Sequence, residues 1–146
     1  MDQFNFWQKW LFVYGLSLIG FGFVLSFFSP SVLMNSVFNN QIDPVFWGTV
    51  DLTDNALRFR TWIYGVLGAV ISGWGVFLTF LAYYPFRKKE PWVWGCIGAG
   101  FSVWFIIDSV ISAHYHVGFN LIVNAALFLL VALPLFFTRK HFHTRS

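Results

Sequence analysis

The chain has 146 residues, of which 58% are hydrophobic, 23% aromatic and 10% charged, with a formal net charge of +3. Soluble domains carry about 25% charged residues, so water is not the main solvent of this chain. Its cations sit in short clusters beside apolar stretches and form no stripe, which argues against nucleic acid as a partner.

Four apolar blocks, at about 11–28, 61–83, 92–112 and 119–137, each approach the roughly 20 residues that cross a hydrocarbon core, and none contains Lys or Arg. They predict an all-α fold, an integral membrane four-helix bundle forming a single domain over 1–146. The first block exceeds the roughly 7 to 15 apolar residues of a signal peptide, and the SPSVLMNS that follows offers no A-x-A cleavage site. It therefore reads as a retained helix, anchored at the interface by Trp7 and Trp10.

The external segment 29–60 is too long for a tight connection, and loops beyond about 12 to 15 residues usually carry structure or function. Ser29-Pro30 offers a cap and a first helical position, and Leu33, Met34, Val37 and Phe38 recur on one helical face. A short interfacial helix is predicted there. The NNQIDPVFWG stretch reads as turn-rich, with Phe46 and Trp47 as anchors, before a cap at Thr53 or Asp54 begins the helix of the second block. Asp54 and Arg58 have the spacing of a favourable helical pair.

Within the second block Gly65, Gly68, Ser72 and Gly75 share one stripe, and Gly95, Gly98 and Gly100 open the third. Close backbone approach drives much of helix association in lipid, so these two faces are expected to touch. Between them, YYPFRKKEPW predicts a compact turn, and Tyr83, Tyr84, Trp92 and Trp94 mark the same interface. The lone Cys96 leaves no intramolecular disulfide and reads as a packing residue. In the fourth block Pro134 should loosen or bend the last turns.

Asp108 is the one ionisable side chain within the blocks, and its charge in hydrocarbon would cost roughly 2.5 to 3.5 kcal/mol without a partner. It lies sixteen residues beyond Trp92, about 24 Å along the helix, at the level where Arg58 and Arg60 enter. Ser112, His116, Asn120 and Asn124 continue at intervals of four, across a chain reversal expected near Gly118. One outward-facing polar site is therefore predicted from Asp108, Ser112, His114 or His116, Asn120, Asn124 and either Arg58 or Arg60. The same groups would equally serve as a lock between three helices, worth on the order of 0.6 kcal/mol per polar contact. His114 and His116 point apart at a spacing of two, and no matching His lies on another block, so no metal or haem site and no cofactor is expected. His141 and His143 fall in the basic tail, where they contact headgroups or water. Nucleophile-elbow, phosphate-loop and zinc motifs are all missing.

Lys9, Arg87, Lys88, Lys89, Arg139, Lys140 and Arg145 fall on one side of this arrangement and Arg58 and Arg60 on the other, which puts both termini in the cytoplasm. The stretches RFRTWIYGVLGAVISGWGVF, WFIIDSVIS and NLIVNAALFLLVALPLF resemble small four-helix bacterial membrane proteins of uncharacterised function and, in general layout, the DoxX-like group. That resemblance covers the last ninety or so residues better than the first helix. It implies an architecture and a bacterial inner-membrane location, with no activity attached. Three readings stay open: a pocket that binds or passes a small or lipid-like molecule; an accessory subunit of a larger complex or homo-oligomer; and an enzyme moving a proton between Asp108 and a His.

Overall fold

The computed structural model describes residues 3–142, all of whose regular structure is helical. Four helices are long and apolar enough to cross a membrane. They are α1 (Gln3–Phe28), α4 (Asp54–Leu81, continuing as a π-helical turn over Ala82–Phe86), α5 (Pro91–His114) and α6 (Gly118–Thr138). Between α1 and α4 lie α2 (Val32–Met34), a π turn (Asn35–Asn39) and α3 (Asn40–Trp47). The bundle thus has a turn end, where residues 87–90 join α4 to α5, and a loop end, where α2 and α3 sit. Arg145 and His143 lie outside the described residues.

The tightest seam joins α1 to α4, not α4 to α5 as the glycine stripes suggested. Gly15 and Gly22 of α1 face Gly75 and Gly68 of α4 in antiparallel order. A Cβ at Gly22 would stand 2.7 Å from the backbone nitrogen of Ser72, and one at Gly15 would stand 2.8 Å from that of Thr79. Only hydrogen fits there, and the gap is then short enough for Ser26 Oγ to donate to Gly65 O (3.1 Å) and Ser72 Oγ to Ile19 O (3.2 Å). On α5, by contrast, a Cβ at Gly95 or Gly100 would meet nothing within 4 Å, and one at Gly98 meets only Leu135 of α6. The expectation failed because small residues report that a close approach is possible and carry no information on which helix makes it.

The turn end is packed with rings. Phe4 stacks on Phe86 at 5.7 Å, and Phe142 lies against both. Leu11, Val93, Val131 and Leu135 extend this buried core along the helices. Side chains of α1 also donate to carbonyls of the other helices. Pro134 has no N–H for Leu130 O, and Trp10 Nε1 donates to that oxygen at 2.9 Å; Gln8 Nε2 does the same for Ala82 O at 3.0 Å in the π turn. Thus α6 continues through Pro134 to Thr138, whose hydroxyl returns to Pro134 O at 2.6 Å.

Two interhelical turns close without glycine. After α5, His116 takes φ +60, with Val117 N donating to Ser112 O (2.8 Å) and His116 N to Ala113 O (3.1 Å). This is the paired hydrogen bonding of a Schellman cap, with His116 where glycine usually stands and Val117 buried beneath it. Lys89, at φ +58, occupies the same place after Phe86, with its ammonium 4.7 Å from the centre of the Phe4 ring.

The loop segment is more helical than expected. Ser31, not Ser29, is the cap of α2, accepting from Met34 N. NNQIDPVFW is no turn but lies in the π turn and α3, which ends at Gly48 in the left-handed conformation. Pro44 stands at the fifth position of α3, so the one bond it forgoes falls to the carbonyl of Asn40 at the helix start. Met34 is buried, and Phe38 packs on Phe21 of α1 and Phe119 of α6, whereas Leu33 and Val37 are exposed. The predicted cap at Thr53 is present, with its hydroxyl accepting from Ala56 N.

Candidate functional site

The single polar pocket read from the sequence is two centres. The first gathers Asp108 and Ser112 on the last turns of α5 with Asn120 on the first turn of α6. Asn120 Nδ2 donates to Asp108 Oδ1 and to Ser112 Oγ, both at 2.8 Å, and Ser112 Oγ donates to Asp108 Oδ1 at 3.1 Å. The spacing of four along α5 and the tight turn at His116 bring these side chains together, as the sequence pattern implied. Asn124, one turn deeper on the same face of α6, is 2% exposed, and its Nδ2 has no hydrogen-bond partner.

Neither arginine serves Asp108. Arg60 Nη1 is bonded to Asp43 Oδ2 of α3, and Arg58 is exposed. The reason is geometric: α3 folds back over the loop end as a helix, and this carries Asp43 inward to meet α4 before α5 can. His114 and His116 are likewise exposed and outside the cluster; His114 lies edge-on to Tyr115, and His116 is committed to the cap of α5.

The second centre is therefore Arg60 and Asp43, 8% and 1% exposed. Burial pushes the Asp43 carboxyl above its ordinary value of 3.8, and the Arg60 guanidinium offsets part of that rise. Arg60 uses one Asp43 oxygen; the other, Oδ1, is buried without a partner. Tyr64 stands one turn along α4 on the face of Arg60, close enough for both charges to act on it, and its buried hydroxyl is also unpartnered. Asn39, buried behind them, donates from Nδ2 to Ser29 O at 3.2 Å and to Asn35 Oδ1. Asp43 and Arg60 line a concavity of about 360 Å³ with Asn35, Asn40, Asp51 and Leu52.

Asp43, Tyr64, Asn35 and Asn39 were not singled out from the sequence. The helical spacing of Arg60 and Tyr64 was visible, but Asp43-Pro44 fell in a stretch that read as turn-rich. Buried polar atoms almost always find partners, so the orphaned ones need an explanation. Among the described residues they are those of Ser29, Asn39, Asp43, Tyr64, Ser109 and Asn124, all in the loop-end half. Comparison with protein-family models, with curated proteins and with solved structures finds nothing that matches this chain.

Proposed function

We propose that the chain is a multi-pass protein of a bacterial inner membrane, with both termini in the cytoplasm, that binds or passes a small or lipid-like molecule at its outward, loop end. The four long apolar helices support the membrane assignment. Lys9, Arg87 to Lys89, Arg139 and Lys140 at the turn end, against Arg58 and Arg60 at the other, support the orientation. The DoxX-like layout belongs to the same reading.

One observation carries the binding role: a buried guanidinium and carboxylate line an open polar concavity, and Asp43 Oδ1 and the Tyr64 hydroxyl beside them have no partner within the chain. A guanidinium offers planar donors to an anionic or carbonyl group, while the free carboxylate oxygen accepts from a hydroxyl or amine. The ligand class that fits has both kinds of group on a small head. The test is mass spectrometry of what remains bound after extraction in mild detergent, for wild type and Tyr64→Phe. A discrete compound retained by wild type and depleted in Tyr64→Phe, at unchanged melting temperature, is the expected result. Equal retention by both, or nothing beyond bulk lipid in the wild type, contradicts it.

A second reading, that of an accessory subunit, is favoured by α5, which is the least covered of the four long helices and leaves Gly95 and Gly100 without neighbours. A strictly monomeric particle in mild detergent counts against it.

A further inference from the structure

At the turn end, far from the Arg60 centre, a groove of about 480 Å³ runs between α5 and α6. Its floor is made of small residues, Gly95, Gly98 and Ala99 from α5 and Ala132 from α6. Trp94 Nε1 donates to Leu135 O at 2.8 Å, which ties the two helices together beside the groove and holds its width. Phe128 lines it toward the middle of α6, and Arg139 at the turn-end terminus of that helix.

Arg139 is eleven positions beyond Phe128, or about 16 Å at the helical rise, which is half of a hydrocarbon core of about 30 Å. The groove is thus as long as one leaflet is thick, apolar along its length, with an arginine where the headgroups begin and Lys140 next in sequence. We propose that it binds one acyl chain of an anionic glycerophospholipid, whose phosphate is held by Arg139. A guanidinium matches phosphate in charge and in fork geometry, and a straight apolar slot with a missing row of side chains matches a polymethylene chain. A docked helix from a second copy would use the small residues but would have no need of a cation at the end of the slot.

The inference rests on the membrane-spanning reading above. The test reconstitutes the full chain into vesicles of equal parts phosphatidylglycerol and phosphatidylcholine, extracts it gently and counts retained lipids by native mass spectrometry. Wild type should keep one phosphatidylglycerol in preference to phosphatidylcholine by about tenfold, as a charge-assisted contact implies. Arg139→Gln should abolish the preference. Gly95→Leu, whose Cβ enters open space, should fill the slot and lower retention of both lipids. Equal retention of the two lipids by wild type, or Gly95→Leu holding as much lipid as wild type, overturns the proposal. A second copy of the chain in place of lipid, lost in Gly95→Leu, also overturns it. A chain that fails to enter the vesicles overturns the membrane reading as well, whereas one that enters without preference overturns this inference alone.

Discussion

At the turn end the interior is filled by Phe4, Phe86 and Phe142 in mutual contact, and the Trp10, Gln8 and Trp94 side chains all donate to backbone oxygens. At the loop end the same four helices enclose an arginine, two carboxyls and several amides and hydroxyls, and there the unpartnered polar atoms collect. The contrast separates two jobs. Ring packing at the turn end and the glycine seam between α1 and α4 hold the helices together, so the loop end tolerates buried polar groups that add little stability. Polar groups retained at such a cost are where a function is best sought.

The contrast can be tested by breaking each half in turn. Phe86→Ala removes a fully buried ring that touches both Phe4 and Phe142. It should cost about 3 to 5 kcal/mol, seen as a large drop in melting temperature in detergent, while compound retained at the loop end is unchanged in whatever fraction stays folded. Equal losses of both would mean that the two halves do not work separately.

A smaller effect sharpens the picture of the loop end. Because burial holds the Asp43 carboxyl above its ordinary range, the folded chain keeps that proton to higher pH than the unfolded chain does. The stabilising contribution is complete below the unfolded value near 3.8 and is lost as pH rises through the folded one. Melting curves from pH 4 upward should show this decline in wild type and a flatter profile in Asp43→Asn. Parallel profiles would place the charge of Asp43 elsewhere.

The four long helices were legible because a helix able to cross hydrocarbon must be long and apolar, and both properties are written locally: the first block was located from Leu11 and the helix begins at Gln3. The Asp108, Ser112 and Asn120 cluster was legible for a similar reason, since helical spacing and one short turn determine it. Long-range choices were not. Gly68 and Gly75 declare a close approach, yet nothing near them names Gly22 and Gly15 as the partners. Asp108 was recognised as needing a counter-charge, expected from either Arg58 or Arg60, whereas Arg60 meets Asp43, which precedes a proline in a stretch that read as turn-rich. His116 drew attention as a ligand, whereas its backbone conformation serves the cap of α5.

The central claim is that the Arg60 and Asp43 pair is kept for binding rather than for stability, and a double-mutant cycle addresses it directly. Arg60→Met and Asp43→Leu, each alone, strand a buried charge and should cost about 3 kcal/mol or more, whereas the combined variant should melt near the wild type. It should also emerge from purification without the compound that the wild type is expected to retain. A combined variant that is as unstable as the two single costs added together, or one that still carries the compound, would contradict the account.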